Sequence, residues 1–218
     1  MKDSRLNAVK NFVRQGSKVA DIGTDHAYLP IDLVASKKVS KVIAGDKNFG
    51  PCQAARKKIS VAGLENFIEV RQGDGLKILQ VGEVDTICIS GMGGSLIAEI
   101  LAADIEITNS ASQLILQPMN AVEELKNFLL KHNWLIGDED LAEENGIIYE
   151  IILAVKNPAE VSEVTKKKTS PLLKKYFAQK LKKLQKIESE MKKSPVAMQT
   201  EKFKNLQEKI SELKNKML

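Results

Sequence analysis

The chain has 218 residues, 43% of them hydrophobic and 28% charged, and a net charge of +5, which suits a globular protein with one good core and an appendage. No apolar run approaches the roughly 18 residues that span a bilayer, and the opening MKDSRLNAVKNFVRQG has no signal-peptide core. Cys52 and Cys88 lie far apart without CxxC spacing, so neither a disulfide framework nor a metal site is expected, and a reduced, cytoplasmic location is.

Taken in order, the first sixteen residues read as a short amphipathic helix. Strand signals then alternate with helix signals. Lys18 to Gly23, Lys41 to Lys47, Phe67 to Gln72, Val84 to Ser90 and Gln113 to Gln117 are short runs rich in Val, Ile and Leu. They are apolar on both faces, as parallel strands covered by helices are. Ala27–Ser36, Pro51–Ala62, Ser95–Ala103 and Ala121–His132 have helical spacing. Pro51 suits a first helical turn and Gly63 a C-terminal cap. The alternation predicts an α/β fold with a doubly wound, Rossmann-like sheet. Trp134–Ala142 and Ile147–Lys156 then flank Asn145-Gly146, a strong hairpin signal. An antiparallel pair closing a parallel sheet predicts seven strands with the last reversed.

Residues 1–162 carry 17 Lys and Arg against 22 Asp and Glu, whereas residues 163–218 carry 16 Lys and 6 acids. An acidic body with a basic tail suits the gripping of a polyanion, although a solvated helical face has the same composition. The expected division is 1–157 and 158–218, at Asn157-Pro158. In the tail, Phe203, Leu206, Ile210, Leu213 and Met217 step as a heptad seam. Leu173, Phe177, Leu184, Ile187 and Met191 form a similar one, with Ser194-Pro195 between them. An antiparallel helical hairpin of coiled-coil type is predicted, folding back within one chain or pairing between two, so monomer and dimer both stay open.

In an open α/β sheet, ligands bind beyond the carboxyl ends of the strands. The turns there read Asp21-Ile22-Gly23-Thr24-Asp25-His26, Gly45-Asp46-Lys47-Asn48, Gly73-Asp74-Gly75, Ser90-Gly91-Met92-Gly93-Gly94 and Gln117-Pro118-Met119-Asn120. A dinucleotide fingerprint needs G-x-G-x-x-G after the first strand; here Asp25 and Ala27 stand where further glycines belong. Asp46 can accept from both ribose hydroxyls, Asp74 from an adenine amino group and Asp21 from an ammonium group. Ribose, adenine and ammonium together describe S-adenosylmethionine better than a pyrophosphate cofactor.

With those residues in view, D-x-G-T-D-H-A-Y-L-P, I-A-G-D, G-D-G-L, I-S-G-M-G-G and Q-P-M-N resemble the bacterial tRNA (adenine(22)-N(1))-methyltransferases, over essentially the whole chain. The resemblance implies a class I methyltransferase domain with a C-terminal coiled coil, and methyl transfer from S-adenosylmethionine to N1 of an adenine in tRNA. It implies Asp21, Gly23, Asp46 and Asp74 in the cofactor shell, and Asp25, His26 and Tyr28 lining the reaction centre. Thr24, Lys47, Asn48, Gly73, Gly75, Ser90, Gly91 and Met92 complete the expected cofactor set. Gly93, Gly94, Gln117, Pro118 and Asn120 are expected on the substrate side, and Lys166, Lys167, Lys168, Lys174 and Lys175 at RNA phosphates. The D/N-P-P-Y signature of amino-group methyltransferases is absent after the fourth strand.

Blander readings stand beside these. Asp25 could cap the helix near Ala27, His26 could be a satisfied helix-start residue, and Tyr28 could be packing. Cys52 and Cys88 are expected to be structural, and His132 exposed and inert. Competing functions are methylation of another RNA or a small molecule, a nicotinamide oxidoreductase, and a catalytically silent RNA-binding protein.

Overall fold

Seven strands form one sheet in the computed structural model, which describes residues 3–157, 159 and 172–217. They are β1 (Val19–Ile22), β2 (Val42–Asp46), β3 (Ile68–Gln72), β4 (Thr86–Met92), β5 (Gln113–Pro118), β6 (Leu135–Glu144) and β7 (Ile147–Val155). Their order is β3-β2-β1-β4-β5-β7-β6. The first five are parallel to their neighbours, and β7 runs antiparallel between β5 and β6. The expected seven-stranded sheet with its reversed last strand is therefore present. The β6–β7 loop is Asn145-Gly146, both at positive φ (52° and 79°), as a two-residue turn of the I′ kind requires.

Strand side chains alternate between two cores. Val19, Val42, Cys88, Ile115 and Leu153 point to one face, packed by α1 (Ser4–Phe12), α2 (Tyr28–Ala35) and α3 (Phe49–Val61). Ala20, Ile22, Ile87, Leu114 and Ile152 point to the other, against α4 (Gly94–Ala103) and α6 (Val122–Lys131), with Trp134 fully buried. Two buried faces explain the unbroken apolar runs.

The local signals have identifiable causes. Asp3 caps α1 by accepting the Arg5 and Leu6 N–H groups at 2.9 and 3.3 Å. Gly63, at φ +66°, ends α3 in a Schellman turn: its N–H reaches Ser60 O and that of Leu64 reaches Ile59 O. A 3₁₀ turn (Gly75–Ile78) and a short helix α5 (Ile105–Ser110) lie where no element was expected. IEITNS has two β-branched isoleucines and a threonine, so its helix forms against intrinsic preference. β4 also runs on to Met92, beyond its expected end, through an irregularity against β5 between Ser90 and Met92. His132 is half-buried rather than exposed: its ring lies 4.2 Å from that of Phe128, and its Nδ1 is 2.9 Å from the Phe128 carbonyl.

The chain divides into two compact units, Met1–Lys167 and Lys168–Leu218. In the second, α7 (Leu172–Met191) packs against α9 (Glu201–Met217), with the one-turn α8 (Pro195–Met198) between them. Phe203, Leu206, Ile210 and Leu213 are buried along the α9 seam, whereas Ile187 on α7 stays 43% exposed. Lys166, Lys167, Lys168 and the Met217 side chain lie outside the described residues.

Candidate active site

The carboxyl ends of β1, β2 and β4 open into a cleft of about 370 Å³. Asp21, Gly23, Thr24, Asp25 and Tyr28 line it from the first loop, Asp46 from β2, Ser90, Gly91 and Met92 from β4, and Gln117 from β5; Asp3, Arg5 and Leu6 form a further wall. A larger hollow, about 510 Å³, lies at the amino ends of β1 to β3. Of its three acids, Glu69 and Glu83 are engaged by Arg71 at 2.8 and 2.7 Å and Glu65 by Ser60, so the carboxyl-end cleft holds the more available carboxylates.

The first loop is built against phosphate binding. The Gly23 and Thr24 N–H groups both donate to the Gly45 carbonyl, at 2.7 and 2.9 Å, and the Ala27 N–H donates to Thr24 O. A pyrophosphate cradle needs such amides free. What faces the cleft instead is carboxylate. Gly23 sits at φ +78°, and a Cβ there would come within 2.2 Å of the Met92 methyl group.

Asp21 is only 5% exposed. Burial pushes its carboxyl up to about 6, against a lowering influence from the Thr24 hydroxyl. It therefore stands ready to be ionised by a cation in contact with it. Asp46 accepts the Asn48 N–H at 2.8 Å on one oxygen. The Ser90 hydroxyl is buried with no partner among the described residues. Gln117 is fully buried; its Oε1 accepts the Gly91 N–H and its Nε2 donates to the Pro118 carbonyl, both at 3.1 Å.

At the mouth, Asp25 (φ +45°) has a side chain 70% exposed, with His26 Nε2 3.8 Å from its carboxylate. The His26 and Tyr28 rings meet edge-on at 5.7 Å. Tyr28 is 51% exposed, and the Lys58 ammonium of α3 lies 3.5 Å from its ring centre. Asp25 makes no capping hydrogen bond to α2, whose preceding residue Ala27 is itself left-handed, so the capping alternative loses its geometry.

Not every expected residue lines this cleft. His26 stands just outside it; Lys47, Asn48, Gly73, Asp74 and Gly75 lie at the same sheet edge beyond it. Asp74 has a side chain 75% exposed, 3.9 Å from Lys77. Gly93, Gly94, Pro118 and Asn120 also fall outside it. A Cβ on Gly94 would stand 2.4 Å from the Ala121 carbonyl and 2.8 Å from that of Asn120. Gly94 is thus small to admit the β5–α6 loop. Gly94→Ala must displace backbone, and we expect it to cost about 3 kcal/mol, a fall of roughly 6–12 °C in Tm by calorimetry. Cys52 is buried behind the site, its thiol 3.4 Å from the Asp46 carbonyl, as a structural residue would be. Asp3 and Arg5 were missed in the sequence, because nothing local to an opening D-S-R predicts that this helix folds back over the strand ends.

Fold and site together define a methyltransferase domain, and residues 2–152 match the family model of that description. The tRNA (adenine(22)-N(1))-methyltransferase of Bacillus subtilis (strain 168) is 42% identical over 150 residues, 69% of this chain; the aligned stretch spans 63% of that relative's length. The crystal structure of the B. subtilis tRNA methyltransferase TrmK matches with a TM-score of 0.86 at 33% identity, over 100% of this chain and 99% of that one. The Streptococcus pneumoniae protein Sp1610 in complex with S-adenosyl-L-methionine matches at 0.80 and 34% identity, over 100% of both chains. This chain belongs to the bacterial tRNA (adenine(22)-N(1))-methyltransferase family.

Proposed function

We propose that the chain transfers a methyl group from S-adenosylmethionine to N1 of adenine 22 in tRNA. The observation that carries this reading is the cleft itself, in which carboxylates replace free amides where a phosphate binder keeps its amides bare. Asp46 suits the ribose hydroxyls, Asp21 the ammonium group, and the unpartnered Ser90 hydroxyl a further polar atom of the cofactor. Bound S-adenosylmethionine would supply a methyl group activated by its sulfonium charge.

The chain's own duties follow from the acceptor. Adenine N1 has a free lone pair, so no general base is needed beforehand. The base must be taken out of its pairing partner's reach, held in line, and relieved of the positive charge that develops on its ring. Asp25 at the mouth would stabilise that charge, with His26 holding the Asp25 carboxylate and Tyr28 offering a ring face to the base.

We assign residues 1–157 to the catalytic domain and the Lys-rich 158–218 to tRNA binding, in the cytoplasm where tRNA is found. Lys174 and Lys175 are exposed on α7. Replacing both with glutamate should raise the tRNA KM roughly tenfold at fixed salt, leave kcat at saturating tRNA unchanged, and flatten the salt dependence of binding by one to two powers. An unchanged salt slope would remove the hairpin from the interface.

The whole reading is tested by incubating the protein with labelled cofactor and unmodified tRNA, then digesting the product to nucleosides. Label in 1-methyladenosine is expected, and none when position 22 is guanine. Cofactor binding without label on any tRNA would transfer the activity to another substrate; absence of cofactor binding would overturn it.

A further inference from the structure

The β5–α6 loop sets an apolar side chain at the rim of the cleft. Met119 follows the last residue of β5, stands outside the cleft lining, and is 46% exposed. A single exposed methionine is ordinary; this one is distinguished by how it is held. Its N–H donates to the Met92 carbonyl at 2.8 Å, and the next residue, Asn120, accepts the Gly94 N–H on its carbonyl at 3.0 Å. The loop is thereby stapled to the end of β4 and the start of α4. The side chain is fixed as well. The amide of the fully buried Gln117 donates to the Pro118 carbonyl at 3.1 Å and to the Met119 sulfur at 3.7 Å. A thioether on three rotatable bonds is otherwise free to adapt its shape.

The sheet order sets what this side chain faces. β4 lies between β1 and β5, so Asp25 and Tyr28 of the first loop form one lip of the cleft. The Met119 loop stands across Gly91 and Met92 from them. An adenine that presents N1 to this cleft has left both its stack and its pairing partner. The gap it leaves opens at the mouth, beside the lips. Proteins that unstack bases wedge apolar side chains into such gaps, methionine among them. A filled gap keeps the neighbouring bases apart and the target from returning.

We propose that Met119 is a positioning residue that occupies the gap left by the extruded adenine and so holds the tRNA in its base-out form. The proposal rests on the transfer to adenine N1 argued above. It adds a part that touches neither the methyl donor nor the reacting nitrogen. Gln117 is the buried prop that aims it.

The test compares two tRNAs on the full chain, one with adenine 22 in its ordinary setting and one with an abasic site in place of the opposing base. The abasic site lowers the cost of extrusion. Met119→Ala should lower kcat/KM about tenfold or more on the first tRNA and no more than about twofold on the second, with the cofactor dissociation constant within about twofold of wild type. Met119→Leu, which keeps the apolar bulk, should retain most of the rate. Should Met119→Ala fail to fold, Met119→Gln keeps the length, removes the apolar tip and carries the same comparison. An equal loss on both tRNAs would make Met119 part of the base pocket or of the scaffold, and no loss on either would leave it a solvated surface residue. A parallel loss of cofactor affinity would place it in the cofactor site. Each of these results overturns the proposal while the function stands. A wild type that binds cofactor and methylates neither tRNA would overturn the function itself, and the wedge with it.

Discussion

Asp21→Asn is expected to raise the dissociation constant for S-adenosylmethionine about 100-fold or more, while making the ligand-free protein more stable at neutral pH. The first effect follows from removing a buried carboxylate from a cationic ligand, a loss of about 3 kcal/mol. The second follows from the raised proton affinity of Asp21, about 6 in the fold against 3.8 for a free carboxyl. Between those values the folded chain holds a proton that the unfolded chain has released, so stability falls as pH rises through that window. Above pH 6 the ionised, buried group costs about 3 kcal/mol, and asparagine removes the cost. Urea unfolding at pH 8 should show the gain, and at pH 3.5 the two proteins should unfold alike. The same protonation sets the pH dependence of binding. A cationic ligand favours the ionised form, so wild-type affinity should drop as pH falls below about 6, and the variant's should not. A variant no more stable at pH 8 would mean that Asp21 is solvated or paired in the free protein.

Asp25→Asn should separate rate from affinity. We expect kcat to fall about 10²–10³-fold with the cofactor dissociation constant within about twofold. Asparagine is the proper replacement, because Asp25 sits at φ +45° and asparagine tolerates that backbone better than alanine does. Rapid-quench turnover with saturating tRNA, beside cofactor titration, reads the two quantities separately. A parallel loss of affinity and rate would move Asp25 into cofactor binding, and an unchanged kcat would leave it a solvated loop residue.

Much of the fold was legible because its signals are local. Val/Ile runs, Asn145-Gly146 and Gly63 each determine backbone geometry within a few residues, and all three appear as read. What was not legible depends on contacts between distant segments. The helix α5 is held by its neighbours, with the Thr108 hydroxyl bonded to the Leu101 carbonyl at 2.8 Å, against a sequence of weak helix formers. Gly94 looks like any glycine in a ligand-side loop until the Ala121 carbonyl is found pressed against it. Asp21 was legible by position, but not its burial, which depends on how β1 lies between β2 and β4. Arg5 was invisible for the same reason, since its neighbours on β7 lie more than 140 residues away along the chain.

That last separation has a consequence for how the protein is made. Ser4 donates to Glu144, and Arg5 rests on Tyr149, so α1 leaves the ribosome well before the hairpin that anchors it. At roughly 5–20 residues per second, α1 waits on the order of ten seconds for its dock to be synthesised. Until then its apolar residues Ala8, Val9 and Val13 have only earlier elements such as α2 to pack on, with Lys10 paired to Asp32 at 2.7 Å. β6 stands at the edge and pairs with β7 alone, so it joins the sheet through a strand made after it. A nascent chain stalled before Asn145 would therefore contain Arg5 and every acid of the cleft, but not the Tyr149 ring on which Arg5 rests.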